Sequence, residues 1–444
     1  MKQQVIDFLK KYNMYYGQVD LQHWTDEFVR QMKAGNDGKP ESLMMIPTYV
    51  YTDGEVNRNE PVIVMDAGGT NFRTAVVDFD SAGKPVIGSF SKRPMPGTQG
   101  ALTAEQFFDT LAEAIEPFDR ISSKVGFCFS FPTEITPDGD GKILCFAKGV
   151  DIRGAEGRLL GEGINEALVK RGCSKKKFVI LNDTVAAMLG AIAENPDGNF
   201  DSYIGFILGT GTNTCYIERC ENIRHAVVNS RSLMAINMES GCFNAFPRGA
   251  IDDEFDATTN NPDDHLFEKM VSGAYMAKLL RLTLVHAAEE GLLSDECAAK
   301  LDAVGEITMR DVDSFCEDRF GDSALAKIAV TDDDRGTIYD FVDAAYERAA
   351  RLVAINLAAV AVQTGLGKSA DRPICVSAEG TTFTKAALFR PKLDRYVSDF
   401  IVGKLGSLVV ALLSLGDVGE DLVLDAERLA GLLCGVDEAQ VVGG

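Results

Sequence analysis

The chain has 444 residues, of which 46% are hydrophobic and 25% charged, an ordinary composition for a globular protein of about two domains. Its formal net charge of −22 argues against nucleic acid or an anionic membrane surface as a partner, because both would repel an acidic protein. Nucleotide phosphates would need local positive groups or a magnesium ion to offset the same field.

The cysteines and the N-terminal residues indicate a cytoplasmic protein. The ten cysteines are scattered, with no C-x-x-C pair and no metal-ligand spacing, so we expect free thiols in a reducing compartment. Residues 1–17 contain no uninterrupted apolar run and are not expected to be a signal peptide. The longest apolar stretch, residues 408–415, is too short to span a bilayer.

Two helical patterns open the chain, and residues 61–80 then predict a β-hairpin. Gly68 and Gly69 form its turn, where backbone N–H groups would be open to a phosphate and Thr70 adds a hydroxyl. Asp66 ends the first strand and is placed to hold a hydrated magnesium ion. A plain hairpin with an incidental aspartate explains this stretch equally well on its own.

Strands then alternate with helices, which predicts an α/β fold. The patterns predict a helix at 104–118 and strands at 125–129, 143–146 and 178–181. The last of these strands ends in Asn182, Asp183 and Thr184. Alone, this segment favours Asp183 or Thr184 as a cap for the following helix, but the carboxyl ends of strands in open α/β sheets also hold ligand sites.

A second hairpin is predicted over residues 203–218, with a turn of Gly209, Thr210 and Gly211 followed by Thr212 and Asn213. Because it repeats the order of strand, Gly/Thr/Asn turn and strand, we interpret it as an internal duplication whose halves face each other. Two such turns could grip a polyphosphate from both sides.

These segments together resemble the hexokinases of the actin-like ATPase superfamily. Residues 66–73 and 209–213 look like the two phosphate motifs, and residues 181–184 are similar to the segment with the catalytic aspartate. Residues 130–132 and 148–149 together resemble the sugar loop of the family, and residues 236–239 and 268–273 are similar to two further sugar-binding segments. With residues 45–50, these seven blocks follow the family order across residues 45–385.

The resemblance implies an α/β, two-domain actin-like (ribonuclease H-like) ATPase fold with a central interdomain cleft. The small domain would comprise residues 61–182 plus about 404–444, and the large domain residues 1–60 plus 183–403. The implied function is that of an ATP-dependent hexokinase of glycolysis, which transfers the γ-phosphoryl group of Mg-ATP to the 6-hydroxyl of a hexose, with glucose expected. The implied cofactors are ATP and Mg²⁺, and the oligomeric state stays open.

The same resemblance implies the site residues. Asp183 would accept the proton of the attacking hydroxyl, while Lys148 would hold the sugar and offset charge on the phosphoryl group. The implied sugar-binding residues are Ser130, Phe131, Pro132, Lys148, Asn182, Asp183, Asn237, Glu239 and Glu268. The implied nucleotide-binding residues are Asp66, Gly68, Gly69, Thr70, Asn71, Arg73, Gly209, Thr210, Gly211, Thr212, Asn213, Gly380 and Thr381. Asp66 would also hold Mg²⁺ through water.

The sequence departs from the family pattern at Ala147, Ser240 and Glu379, where threonine, tryptophan and aspartate are usual, and these departures leave the choice of hexose open. Residues 406–413 would replace a C-terminal helix of the family, and residues 414–444 match nothing. Two alternatives stay open: a related kinase for another hexose or aminosugar, and a catalytically weak, sugar-binding regulatory protein. The intact Asp183, Lys148 and glycine turns argue against the regulatory protein.

Overall fold

The computed structural model describes residues 1–53, 60–81, 85–146, 149–195, 199–228 and 232–413. The strands of this part are β1 (Ile46–Tyr51), β2 (Val62–Ala67), β3 (Asn71–Phe79), β4 (Pro85–Pro94), β5 (Leu102–Thr103), β6 (Lys124–Phe129), β7 (Thr133–Ile135), β8 (Gly141–Ile143), β9 (Ile152–Arg153), β10 (Lys177–Leu181), β11 (Ser202–Leu208), β12 (Thr212–Arg219), β13 (Leu233–Asn237), β14 (Ile374–Glu379) and β15 (Val409–Leu413). The α-helices are α1 (Gln3–Lys11), α2 (Leu21–Asn36), α3 (Ala104–Ile115), α4 (Leu160–Lys170), α5 (Asp183–Glu194), α6 (Ala250–Ala257), α7 (Leu266–Val271), α8 (Met276–Glu289), α9 (Asp295–Ala303), α10 (Met309–Glu317), α11 (Ala324–Ile328), α12 (Asp332–Thr364), α13 (Thr381–Lys385) and α14 (Phe389–Tyr396).

Two mixed sheets with the same internal plan frame the molecule. One has the strand order β10-β6-β2-β3-β4, and the other has the order β1-β13-β12-β11-β14-β15. Each sheet contains three antiparallel strands in sequence order, β2-β3-β4 or β11-β12-β13, extended by two parallel strands beside the first of them. The six-stranded sheet has in addition β1, which pairs antiparallel with β13. The predicted α/β class is confirmed, and the repeated plan agrees with the duplication interpreted from the two hairpins.

Helices cover both sheets. α3 and α4 pack together beside the five-stranded sheet, where Phe107, Phe108 and Leu111 are buried in its core. The predicted helix at 104–118 is α3 followed by a 3₁₀ turn at Glu116–Phe118, since Pro117 cannot donate the hydrogen bond that would continue an α-helix. No described helix combines the length and apolarity needed to cross a membrane.

The strands of the two sheets can be compared with the predicted domain boundaries. β1 lies in the six-stranded sheet, β2 and β10 lie in the five-stranded sheet, and α5 packs against the six-stranded sheet. Sheet membership therefore changes near residues 60 and 182, where the sequence analysis divides the domains.

The C-terminal segment differs from its prediction. Residues 409–413 form strand β15, not a helix, and they join the six-stranded sheet through parallel pairing from Ile374↔Val409 to Ala378↔Leu413. Their place in the small domain is therefore wrong. The reason is local: the valine-rich apolar run favours a strand, and the unpaired edge of β14 offers it a complete ladder. Residues 414–444 lie outside the described part of the chain.

Candidate active site

The first glycine turn places a buried carboxylate at the end of β2. Asp66 and Arg73 are opposite each other in the antiparallel pair of β2 and β3, and Arg73 Nη1 donates to Asp66 Oδ2 at 2.5 Å. Burial raises the pKa of Asp66, Arg73 opposes that rise, and the Asp183 carboxylate adds to it. Asp66 therefore lies within electrostatic reach of Asp183.

The turn itself is open. Gly68 N donates to Asn71 O at 3.1 Å, which closes the hairpin, and Thr70 is exposed between them. A Cβ atom added at Gly68 would meet only Asn71 O, at 3.8 Å. The backbone of this turn is thus accessible to a ligand, as the sequence analysis expects of a phosphate loop.

The second turn, between β11 and β12, is packed on several sides. Gly209 O accepts from Gly273 N at 2.8 Å and from Thr382 Oγ1 at 2.9 Å. A Cβ atom at Gly211 would lie 2.4 Å from Glu268 Oε2. Gly380 has φ +106°, and its Cβ atom would lie 2.4 Å from Leu208 O. Only glycine fits these last two positions without displacing neighbours.

A chain of side-chain amides links three strands. Asn213 Nδ2 contacts Asn182 Oδ1 at 3.3 Å and Asn237 Oδ1 at 2.8 Å, and Asn237 Nδ2 donates to Glu239 Oε1 at 2.8 Å. Asn182 follows β10, while Asn213 and Asn237 lie on the neighbouring strands β12 and β13. The chain therefore aligns polar groups of both sheets.

Three carboxylates surround this amide chain. Burial raises the pKa of Glu239, and Asp183 and Glu268 raise it further, whereas the hydrogen bond from Asn237 opposes the rise. Glu268 Oε2 accepts from Thr212 N at 2.9 Å, beside Asn213. Such a group of buried acceptors would be satisfied by neutral hydroxyl donors.

Asp183 begins α5 at the edge of this group. The cap of this helix is Asn182, whose Oδ1 accepts from Thr184 N at 2.9 Å, and not Asp183 or Thr184 as predicted, because the helix already includes both. Asp183 Oδ1 also lies 2.8 Å from Thr184 N. The Asn182 oxygen also takes part in the amide chain. The helix cap and the polar site therefore share the same residues.

The predicted sugar loop is described only in part. Ser130 follows β6, and its N–H donates to Ala67 O at 3.1 Å beside the first turn. Phe131 is buried with its ring 5.0 Å from that of Phe129, and Pro132 O accepts from Leu144 N at 3.0 Å. Leu144 lies in a loop. Of the strand predicted at residues 143–146, only the first residue, Ile143, is in a strand, where it ends β8.

Lys148 and Ala147 lie outside the described residues. The role of Lys148, and direct contact of Phe131 or Pro132 with a sugar, stay predictions.

Two residues predicted to bind nucleotide have another local role. The buried Asn213 side chain belongs to the amide chain, and Thr212 Oγ1 donates to Ile207 O at 2.9 Å. These contacts direct both side chains away from the exposed turn, which leaves Gly209, Thr210 and Gly211 to face a phosphate. Gly380 lies beside this turn, because a Cβ atom at Gly209 would be 3.4 Å from Gly380 Cα, and Thr381 is exposed.

The sequence analysis assigns no role to the ion pair that holds α7. Lys269 and Asp256 are both buried, and Lys269 Nζ lies 2.5 Å from Asp256 Oδ1 and 2.6 Å from Asn261 O. Because Lys269 follows Glu268, this pair fixes the helix that presents the Glu268 carboxylate. The sequence signal for this ion pair was the lysine inside the predicted binding segment 268–273. Its partner, Asp256, could not be identified from the spacing of residues.

Comparison with known proteins identifies the family. Two family models described as Hexokinase match residues 7–192 and 203–415, which together make up most of the chain. Hexokinase-1 of Schizosaccharomyces pombe is 27% identical over 88% of this chain and 84% of its own length. Hexokinase-2 of Equus caballus is 30% identical over 87% of this chain, which spans only 44% of that longer relative.

The fold has solved counterparts. A structure described as hexokinase from Schistosoma mansoni complexed with glucose aligns with a TM-score of 0.70 and 21% identity, over 97% of this chain and 99% of the other. This likeness confirms the predicted two-domain actin-like fold. Together with the two matching family models, it shows that the chain belongs to the hexokinase family.

Proposed function

We propose that this protein is an ATP-dependent hexokinase that transfers the γ-phosphoryl group of Mg-ATP to the 6-hydroxyl of a hexose, with glucose as the expected substrate. The observation that carries the proposal is the assembly of Asn182, Asp183, Asn237, Glu239 and Glu268 at one place, from segments far apart in the sequence. A sugar presents several neutral hydroxyls, which match this set of buried acceptors and amides. We further propose that the protein acts in the cytoplasm, which the nine described free cysteines support.

Asp183 is the proposed base. Its position at the start of α5 fixes its backbone, and its Oδ1 is held by Thr184 N. In phosphoryl transfer the main requirement is alignment of the attacking oxygen, so Asp183 has to orient the hydroxyl and accept its proton rather than act as a strong base. The proton would move from the 6-hydroxyl to the Asp183 carboxylate as the new O–P bond forms.

The phosphates and magnesium would lie at the two turns. The backbone of half-buried Gly69 and of the exposed Thr70 and Thr210 would supply N–H groups for an anion. Gly68 N already donates to Asn71 O, so Gly68 would serve by letting a phosphate approach the turn closely. Asp66 fits a hydrated Mg²⁺, because its donor is a hard carboxylate oxygen at the same opening, and the ion would neutralise phosphate charge. Arg73 already pairs with Asp66, so a direct phosphate contact by Arg73 stays a prediction.

The proposal is tested by ADP release from Mg-ATP with glucose, mannose, fructose and glucosamine in turn. We expect sugar-dependent release that Asp183→Asn lowers by about 10²–10⁴-fold, the usual contribution of a positioned acid–base group. Asp183→Asn is preferred to alanine because it keeps the size of the side chain at the helix start. Thr184→Ser is the matched control, since it keeps the neighbouring hydroxyl and should retain turnover.

The outcomes separate the alternatives. Release with mannose or glucosamine but not glucose would replace the expected hexose. Glucose binding by calorimetry without release of ADP under any condition would refute a kinase and favour the sugar-binding regulatory protein.

A further inference from the structure

Three metal-ligating side chains that the proposed reaction does not use lie together beside the sugar site. Cys242, Asp264 and His265 each offer one ligand atom, and these atoms all lie within 4.8 Å of one another. Cys242 belongs to a 3₁₀ turn at Ser240–Cys242, and the other two residues lie immediately before α7. Linear spacing could not reveal the group, because its two parts are separated by a helix and a loop.

The His265 Nδ1 atom faces Asp264. It is buried and lies 2.7 Å from Asp264 Oδ2, without the geometry of a hydrogen bond within the described part of the chain. The nitrogen and the carboxylate therefore face one another with no proton well placed between them, an arrangement that a bound metal ion can satisfy. Cys242 is half-buried and Asp264 is exposed, so a small ion has access to the group from the Asp264 side.

The donor set selects the metal. Thiolate, imidazole and carboxylate together suit Zn²⁺, whereas Mg²⁺ prefers oxygen ligands and water. With ordinary Zn–S and Zn–N bonds, neighbouring ligand atoms lie roughly 3.5 Å apart, so the widest separation in the group has to close by up to about 1 Å, whereas the 2.7 Å contact between His265 Nδ1 and Asp264 Oδ2 has to open. The exposed Asp264 side chain can supply the second movement. On binding, the thiol proton of Cys242 leaves to solvent.

The group is joined through the backbone to the two residues that carry the sugar carboxylates. Cys242 N donates to the backbone oxygen of Glu239 at 3.0 Å, and Lys269 N donates to the backbone oxygen of His265 at 3.1 Å in the turn that contains Glu268. Three protein ligands leave a fourth position on Zn²⁺ open. The half-buried carboxylates of Glu239 and Glu268 are the candidates for that position, because their backbones adjoin the group.

We propose that Cys242, Asp264 and His265 form an inhibitory Zn²⁺ site, in which the bound ion draws the Glu239 carboxylate away from Asn237 and weakens sugar binding. Metal binding is inferred from these three side chains alone, whereas the effect of the metal on sugar binding rests on the proposed function.

Metal binding is tested first, without any substrate. Co²⁺ added to the full chain should bind with a thiolate-to-metal charge-transfer band, and excess Zn²⁺ should abolish the band. Cys242→Ser should remove it, whereas Cys173→Ser, which removes another half-buried thiol, should leave it intact. Asp264→Asn, at an exposed position, should weaken affinity at least about tenfold, the lower bound for loss of even an outer-sphere partner.

Coupling to the sugar is tested by calorimetry with glucose in the absence of ATP and Mg²⁺. Saturating Zn²⁺ should raise the glucose Kd about tenfold or more in the unchanged chain and less than about twofold in Cys242→Ser. The reciprocal experiment should show glucose weakening Zn²⁺ binding, measured by displacement of Co²⁺, by the same factor.

Each result decides a separate point. A Co²⁺ spectrum without a thiolate band, or one unaffected by Cys242→Ser, would overturn the metal site. A normal band with an unchanged glucose Kd would overturn the inhibition. A band in a protein that never binds a hexose would leave the metal site standing and refute the proposed function instead.

Discussion

The two glycine turns have the same order of elements but opposite surroundings. Gly68 is open, with its nearest contact for an added Cβ atom at 3.8 Å, whereas Gly211 is crowded by Glu268 Oε2 at 2.4 Å. The polar residue of the first hairpin, Asp66, pairs within its own hairpin, and that of the second, Asn213, bonds to other segments. One duplicated plan therefore supports an open anion loop on one sheet and a rigid scaffold for the sugar residues on the other.

The largest effect on stability is expected from breaking the buried ion pair of Lys269 and Asp256, which holds α7 beside the second turn. Lys269→Met would leave the buried Asp256 carboxylate with Arg248 Nη1, 3.9 Å away, as its remaining cation and should cost up to about 3–5 kcal/mol of unfolding free energy, measured by urea denaturation. Glucose affinity should fall as well, because α7 positions Glu268. Lys278→Met is the control: Lys278 forms a 3.7 Å exposed pair with Glu306, and its loss should change stability by less than about 0.5 kcal/mol. Equal effects of the two variants would contradict the role of the buried pair.

The second largest loss of stability is expected from a substitution at the crowded second turn. Gly211→Ala would push a methyl group against the Glu268 carboxylate, at a cost of about 1–3 kcal/mol in stability from overpacking. It should also disturb the Thr212–Glu268 hydrogen bond and lower glucose affinity. Stability and affinity can both be followed by thermal unfolding with and without glucose. A fully stable variant with normal affinity would show that the turn has room to move.

Glu239→Gln should separate stability from binding. Burial raises the pKa of Glu239, so near neutral pH the folded protein holds a charge that the site disfavours, and the unliganded variant should have the higher Tm. As the pH falls through the raised pKa, the native carboxyl takes up its proton, so the stability advantage of glutamine should shrink. Glucose binding should weaken by about 1.5–3 kcal/mol at neutral pH, because a charged acceptor is lost.

Calorimetry and pH-dependent melting check these expectations. A Tm advantage that grows on acidification would have the wrong sign and would exclude the electrostatic explanation.

The smallest structural effect is expected at the first turn. Gly68→Ala has room for its methyl group and should change stability by less than about 0.5 kcal/mol. Its effect should be confined to the KM for ATP, because the methyl group would stand between the backbone and a phosphate. A stability loss equal to that of Gly211→Ala would remove the contrast between the two turns.

The sequence predicts those parts of the fold that depend on local patterns. The two hairpins and the approximate start of α5 follow from apolar runs, glycines and polar residues at a strand end, although the cap is Asn182 and not Asp183 or Thr184. Strand β15 does not follow in the same way, because its valines favour a strand without excluding a helix, and the free edge of β14 settles the choice. The site shows the same limit: Asn182, Asn237 and Glu239 are recognisable by position, whereas the bond from Asn213 that joins them depends on the pairing of distant strands.

The segment from Leu181 to Asp183, where the chain crosses from one sheet to the other, affects how the two sheets can move relative to each other. Leu181 ends a strand of the five-stranded sheet, whereas the helix that Asp183 begins packs on the other sheet. The chain crosses between the sheets here and near residue 60, so a rotation of one sheet against the other would involve both crossings, and at this one it would stretch or relax the hydrogen bond between the Asn182 and Asn213 side chains. The proposed base thus lies at one of the two crossings, so the angle between the sheets and the orientation of the reacting group depend on the same few bonds.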